Sequence, residues 1–456
     1  MAALIGAFVV IGVPCSAAVP VLTTLYNFPG TTGAFPEASL VLNNGDLFGT
    51  TYSGGTGWGT VFALIPPQAS GPWTIRQLYA FTGGADGANP RAGVIFSSHG
   101  LIYGTTEQGG AYGFGAVYSL TPAGGGKWTE AVLYSFTGTG GDGANPEAGM
   151  ILSPKGLLYG TTSNGGSAGY GAVFSLTPSA GGGPWTEQVI YSFKGAPTGC
   201  STTGNPACDG ANPLSSLYLN ANGALYGTTY SGTAVSGGPL WGTVFQLVQV
   251  GGVWTESVLY SFLGAPSGAD GGSECGTTGQ AACDGGAPAG GVVVNKTTGA
   301  IYGTTTLGGL PTGCAFGGYT QGCGTVFQLT PPVAPSTTWT ESLLYTFGGP
   351  PNGSLPSYSL FYPPAGGPLY GTTFSGGSSP ETCFPASYSG CGIAYVLQPP
   401  VAPSTTWTKS NMAVFNGDNG AGPSGLVLSP AGGVLYGTTY TGGLAGGYGT
   451  VFQIAF

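Results

Sequence analysis

The chain has 456 residues, of which 41% are apolar and 12% aromatic but only 5% charged, and its seven basic and sixteen acidic residues give a net charge of −9. There is ample material for a large core, whereas nucleic acid and anionic membrane are excluded as partners because both need clustered Lys and Arg, and Arg76, Arg91, Lys127, Lys155, Lys194, Lys296 and Lys409 are scattered singly. The 91 glycines and 36 prolines recur at fixed offsets between short runs of Val, Leu, Tyr, Phe and Thr, which is the composition of strands joined by turns rather than of a disordered chain.

Residues 1 to 19, MAALIGAFVVIGVPCSAAV, form an apolar stretch ending in small residues, as an h-region and cleavage site would, although a basic n-region is missing. An atypical signal peptide is therefore expected there, with residues 20–456 as one domain, a secreted or cell-surface location, and no membrane span in the mature chain. The next element is a lone strand, LTTLYNF, ending at Phe28. A repeat of about fifty residues follows. Its clearest mark is Tyr-Gly-Thr-Thr or the Phe variant, seven times, at Phe48, Tyr103, Tyr159, Tyr226, Tyr302, Tyr370 and Tyr436. The copy from Trp128 to Pro178 predicts four strands, over Trp128 to Phe136, Ala148 to Ser153, Leu157 to Thr162 and Gly171 to Leu176, separated by turns of Gly, Asn, Asp and Pro. These strands are apolar on both faces, so each four-stranded antiparallel sheet must lie between two others. Radial packing satisfies this, and the expected fold is an all-β, seven-bladed β-propeller.

The strand count predicts how the ring closes. Gly-x-Val-Phe or a close variant starts a strand seven times, at Gly59, Gly115, Gly171, Gly242, Gly324, Gly392 and Gly449, and the last runs to Phe456 with no Trp-Thr strand after it. Residues 21 to 28 should therefore complete the sheet of residues 423 to 456, leaving no open edge at the seam. The strand order resembles that of quinoprotein-type propeller repeats, which implies that the segments starting at Pro36, Pro90, Pro146, Pro213, Pro288, Pro356 and Pro423 line the central channel. The motifs LYGTT, GxVFxLTP, WTExxLYSF and DGANPxAG resemble the Gloeobacter/Verrucomicrobia tandem repeat of predicted bacterial exported proteins. That resemblance covers nearly the whole mature chain and implies export, with no established activity or catalytic residues. Its members are often tethered by a C-terminal sorting segment, whereas this chain ends in the last blade at QIAF.

Eight cysteines fall into four close pairs, Cys200 with Cys208, Cys275 with Cys283, Cys314 with Cys323 and Cys383 with Cys391. Local disulfides are expected, because a metal site would want Cys-x-x-Cys hooks or further His ligands and the chain has a single His, His99. Each would contribute roughly 2 to 3 kcal/mol by closing a short loop in the unfolded chain. The best candidates for ligand or Ca²⁺ binding are the acidic turns between outer and inner strands, with Asp86 and Asn89, Asp142 and Asn145, Asp209 and Asn212, and Asp284. They are expected on one face around the channel mouth. The competing reading is an Asx turn that satisfies local backbone groups.

The Trp at 73, 128, 185, 254, 339 and 407 are expected between blades, and Trp58 and Trp241, which lie outside that register, at the surface. Glu130, Glu187, Glu256 and Glu341 of Trp-Thr-Glu should decorate an outer strand. With no confident metal site, no cofactor other than candidate Ca²⁺ and no catalytic constellation, the leading expectation is a monomeric, non-catalytic module. It would bind extracellular carbohydrate or protein, or build surface structure. The alternative is a carbohydrate-active hydrolase or lyase with Asp/Glu at the channel mouth.

Overall fold

Two-sided burial dominates the structure, a computed structural model that describes residues 19–456 apart from 180–184, 196–208, 233–240, 265–283, 310–313, 317–318, 321, 378–382, 384–389 and 445. The Tyr-Gly-Thr-Thr strands and the Gly-x-Val-Phe strands are buried along almost their whole length, as in Ile102–Thr106 and Leu225–Thr229. No helix occurs among the described residues. The strands form seven antiparallel blades in a propeller ring.

From the channel outward, blade 1 runs Val41–Asn43, Asp46–Thr51, Thr60–Ile65, Thr74–Ala80, and blade 2 runs Ile95–Phe96, Ile102–Thr106, Ala116–Gly124, Lys127–Ser135. Blade 3 is Ile151–Leu152, Leu158–Thr162, Ala172–Thr177, Thr186–Ser192, and blade 4 is Tyr218–Leu219, Leu225–Thr229, Thr243–Val250, Val253–Ser261. Blade 5 is Val293–Val294, Ile301–Thr305, Thr325–Thr330, Thr340–Thr346. In blade 6, Leu369–Thr373, Ile393–Gln398 and Thr408–Val414 are joined on the channel side by a single Phe361–Tyr370 bridge. Blade 7 consists of Val427–Leu428, Val434–Thr441 and Thr450–Ala455, and its outer strand is Val21–Asn27, paired from Val21 with Ala455 to Asn27 with Thr450. The N-terminal strand thus closes the ring as its sequence predicts.

The innermost strands are shorter than expected, two residues in blade 3 where six were predicted. The reason lies in the Pro-x-x-Gly stretch before them. Its carbonyls are taken by side chains of the preceding blade instead of by a ladder, the first Thr of Tyr-Gly-Thr-Thr donating each time. The bonds are Thr50 to Ala92 at 2.8 Å, Thr105 to Ala148 at 3.1 Å, Thr161 to Ser215 at 3.2 Å, Thr228 to Gly290 at 3.0 Å, Thr304 to Tyr358 at 3.2 Å, Thr372 to Ser424 at 3.0 Å and Thr438 to Ala38 at 3.0 Å. All seven blade boundaries therefore carry the same bond.

Two further contacts repeat at every boundary. The Phe that ends each outer strand is buried edge-on against an aromatic ring of the next blade, as in Phe136 with Phe174 at 5.0 Å and, across the seam, Phe28 with Phe62 at 5.2 Å. Such pairs add about 0.5–1.5 kcal/mol beyond the area they bury. The glycine of each Gly-x-Val-Phe sits at positive φ against the next blade's proline; at Gly171, with φ 97°, a Cβ would meet Pro213 Cδ at 2.6 Å. The glycine of Tyr-Gly-Thr-Thr makes room inside its own blade rather than at the boundary. Its space is filled by the ring of its cross-strand partner in the same blade, Gly160 opposite Phe174. The Trp of the Trp-Thr strands pack between blades as expected, Trp185 against Tyr103 at 5.7 Å and Trp254 against Tyr159 at 6.1 Å.

Candidate functional site

Each blade sends two connections to one end of the ring, the loop after Tyr-Gly-Thr-Thr and the turn from its outer strand to the next innermost strand. The central channel opens at that end as a cavity of about 360 Å³, lined by segments of six blades including Glu37, Arg91, Glu147, Leu214 and Ser357. The Pro-initiated segments thus line the channel, as their position in the repeat predicts. Two ring positions shape the mouth. The residue after Tyr-Gly-Thr-Thr is Tyr52, Glu107, Ser163, Tyr230, Thr306, Phe374 or Tyr440, and the residue after the proline is Glu37, Arg91, Glu147, Leu214, Ala289, Ser357 or Ser424. Interior positions repeat one residue type around the ring. These two do not.

The strongest asymmetry is at Arg91. Its Nε lies 2.8 Å from Glu107 Oε2 in an ion contact, its other end donates to Glu147 Oε2 at 3.1 Å, and Glu37 Oε2 is 3.7 Å from Nε. The guanidinium also lies 5.3 Å from the Tyr52 ring centroid. Burial pushes the Glu37 carboxyl up to about 7; Arg91 opposes the rise, and Glu107 and Glu147 add to it. Tyr440, tilted against Phe35 at 5.3 Å and Phe374 at 6.2 Å, forms an aromatic side to the same mouth. The arrangement offers a fixed cation, a carboxyl that titrates near neutrality and flat apolar rings. It suits hydrogen-bonded recognition of a polar ligand.

The predicted acidic turns lie on this face, but over the outer strands rather than in the channel. Asp86 accepts from the Tyr79 hydroxyl at 3.0 Å and the Thr82 amide at 2.8 Å; Asp142 accepts from Tyr134 at 3.0 Å and the Thr137 amide at 2.7 Å. Asp209 accepts from Tyr191 at 2.5 Å and the Lys194 amide at 2.8 Å, and Asp284 from Tyr260 at 2.6 Å and the Leu263 amide at 3.0 Å. Among the described residues no group of three or more acidic, His or Cys side chains is placed to hold a metal. The asparagines work between blades. Asn89, Asn145 and Asn212 take φ of 57°, 56° and 54° and donate Nδ2 to the carbonyls of Tyr52, Glu107 and Ser163 at 3.0, 3.2 and 2.9 Å. Asparagine tolerates left-handed backbone better than most residues, which accounts for its choice. The turns thus position the mouth residues of the preceding blade.

The Trp-Thr-Glu glutamates lie on the outer strands yet are partly buried against the preceding blade instead of decorating the surface. One carboxyl oxygen of each is buried without a hydrogen-bond partner. Burial first, and then the acidic turn of the preceding blade, pushes Glu130 and Glu187 up to about 7 and Glu256 and Glu341 up to about 8. The two acids occur together. Where Asn352 and Thr32 stand at the Asp position, the next blade has Lys409 and Ile75 at the Glu position, and Lys409 donates to the Asn352 carbonyl at 2.9 Å.

A third ring position was missed in the sequence, the residue before each Gly-x-Val-Phe, whose carbonyl accepts the amide of the left-handed residue, as Tyr170 accepts from Asn212 at 2.8 Å. It is Trp58, Phe114, Tyr170, Trp241, Cys323, Cys391 and Tyr448. Trp58 is exposed as expected, but Trp241 is buried, pressed over Gly264 and Gly286. Cys314–Cys323 and Cys383–Cys391 form the expected disulfides, with Cα atoms 5.3 and 5.2 Å apart, while the expected pairs Cys200 with Cys208 and Cys275 with Cys283 lie outside the described residues. The signal was an aromatic or Cys at a fixed offset, obscured because its type varies.

Comparison with known proteins agrees with the repeat. Residues 15–207 match the Gloeobacter/Verrucomicrobia repeat, in agreement with the motifs over that span. A comparison with curated proteins finds no match. Among solved structures, similar folds include the Dos1 propeller, at 9% identity with 95% of each chain covered and a TM-score of 0.46. Others are a protein of unknown function from Dyadobacter fermentans, at 12% identity, 95% and 98% coverage and a TM-score of 0.42, and a gluconolactonase from Xanthomonas campestris, at 10% identity, 78% and 82% coverage and a TM-score of 0.38. No helix among the described residues is long and apolar enough to cross a membrane.

Proposed function

We propose that this propeller is an exported, non-catalytic binding module whose ligand face is the channel mouth around Arg91, with extracellular carbohydrate or protein as ligand. The observation that supports it is internal to the chain. Seven blades repeat the same Phe, Thr, Gly and Pro where packing requires them, and diverge at the two positions facing the mouth. Side chains released from packing are the ones a ligand can select. Arg91 anchors that surface rigidly through Glu107 and Glu147.

A glycan array with the purified protein tests this reading. Binding lost in Arg91→Ala and Glu147→Gln, measured well below the melting temperature of each variant, supports it; binding indifferent to both overturns the location. A carbohydrate-active enzyme is the second reading, favoured by Glu37, whose pKa near 7 suits a general acid. A reducing-sugar assay on the same panel separates the two. Turnover abolished by Glu37→Gln establishes the enzyme.

A further inference from the structure

We infer that an arc of aromatic rings on the rim of blades 7, 1, 2 and 3 is a track for an extended, neutral polysaccharide. This rests on the binding-module reading and names the chemistry of its ligand. Tyr448, Trp58, Phe114 and Tyr170 occupy the same position in four consecutive blades and are 38%, 45%, 40% and 45% exposed. Apolar side chains at interior ring positions of this protein are buried. These four are not, although nothing in their backbone position requires exposure, since Trp241 at the same place in blade 4 is 8% exposed.

Each ring is held flat from below. A glycine at the exit of the same blade's outer strand lies beneath it: a Cβ on Gly83 would meet the Trp58 indole at 2.5 Å, on Gly138 the Phe114 ring at 2.8 Å, on Gly195 the Tyr170 ring at 2.8 Å and on Gly30 the Tyr448 ring at 3.0 Å. The backbone beside each ring is fixed as well, because its carbonyl accepts an amide from the next blade at 2.8 to 2.9 Å. A ring immobilised with part of its surface in water loses little entropy when a flat apolar face stacks on it. The axial C–H face of a pyranose is such a face.

The surroundings select the occupant. The loops carrying the rings, 53–59, 109–115, 164–170 and 442–449, contain no charged residue, only Gly, Ser, Thr, Ala, Leu and Asn beside the aromatics. Those loops offer hydroxyls neutral partners; in the turns beneath, Asp86 and Asp142 are engaged by Tyr79 and Tyr134, and Lys194 is a single cation beside Gly195. One platform per blade around a curved rim matches a repeating chain better than a single globular patch. In blades 5 and 6 the corresponding residues are the buried, disulfide-bonded Cys323 and Cys391, so the track is bounded by Cys391 beside blade 7 and by the buried Trp241 of blade 4 beside blade 3.

Affinity electrophoresis in native gels containing hydroxyethylcellulose, xylan, laminarin or mannan tests the inference, with alginate as the anionic comparison. Retardation is expected in at least one neutral gel and not in alginate, weakened by roughly tenfold for each of Trp58→Ala and Tyr170→Ala and restored in Trp58→Phe. On the intact protein, titration with the retarding polysaccharide should shift tryptophan emission, and the shift should shrink in Trp58→Phe, which keeps the test decisive if an alanine variant misfolds. Neutral binding that survives the rim substitutions but is lost in Arg91→Ala overturns the track while leaving the mouth as the ligand site. Equal retardation in alginate, or none in any neutral gel, overturns the track outright.

Discussion

Thr438 donates its hydroxyl to the backbone carbonyl of Ala38 at 3.0 Å, joining blade 7 to blade 1 across 400 positions of sequence. The same carbonyl also accepts from Ser424 at 3.2 Å. At the boundary of blades 4 and 5, by contrast, Thr228 is the side chain that meets the Gly290 carbonyl, at 3.0 Å. Replacing threonine by valine keeps the shape and removes the donor, leaving a buried acceptor at a cost of about 1–3 kcal/mol. Thr228→Val should therefore destabilise by about that amount and Thr438→Val by less, because Ser424 remains. Denaturant unfolding of the two variants measures the difference.

Gly171 has φ 97° and a Cβ there would meet the Thr162 carbonyl at 2.5 Å and Pro213 Cδ at 2.6 Å. Both obstacles are rigid, one of them in the next blade. Gly171→Ala should cost more than about 2 kcal/mol, combining left-handed strain with a clash that only blade separation relieves. Gly156, also at positive φ but with open space around it, separates the two effects. Gly156→Ala pays the strain alone and should cost less than Gly171→Ala in the same unfolding experiment.

The buried glutamates make stability depend on pH. Burial raises Glu130 and Glu187 to about 7 and Glu256 and Glu341 to about 8, above an unfolded value near 4.3. An acid whose folded pKa is raised binds more protons in the fold. Its contribution is fully present below about pH 4 and is lost as pH rises through 7 to 8. The melting temperature should thus fall between pH 5 and pH 8.5. Glu→Gln at all four positions should flatten that slope; a slope unchanged in the fourfold variant would mean that these carboxyls are not the cause.

Arg91 holds Glu37, Glu107 and Glu147 together. Arg91→Ala leaves three carboxylates facing one another, so its loss of thermal stability should be larger at pH 8 than at pH 5, where protonation relieves the repulsion. Arg91→Lys should recover only part of the loss, because a single ammonium cannot reach Glu107 and Glu147 from opposite ends of a planar fork. Melting curves at the two pH values suffice.

The seven-bladed ring was legible because its requirements recur. Apolar Tyr-Gly-Thr-Thr and Gly-x-Val-Phe strands need cover on both faces in every copy, and the missing outer strand of the last blade pointed to Val21–Asn27. The site was less legible because it lies where the repeat stops repeating. Asp142 drew attention as part of a recurrent acidic turn, yet its oxygens are taken by Tyr134, Thr137 and Gly143. Glu37, Arg91 and Glu147 belong to three successive blades and are each unremarkable in the sequence, so only the assembled ring brings Arg91 to 3.7 Å from Glu37 and 3.1 Å from Glu147. The pairing of Asp with a Glu one blade later spans more than forty residues, as from Asp86 to Glu130, and becomes visible once the boundary between outer strands is known.

Because the Val21–Ala455 pairing makes the seam equivalent to every other boundary, the polypeptide has a first residue but the molecule has no first sector. A gene that joins Phe456 to Pro20 by a short linker and opens the chain in the Gly100 or Gly156 hairpin should yield the same ring from a different starting point. Duplication or loss of a sector during descent would likewise be felt as a change in circumference rather than as damage at a particular place.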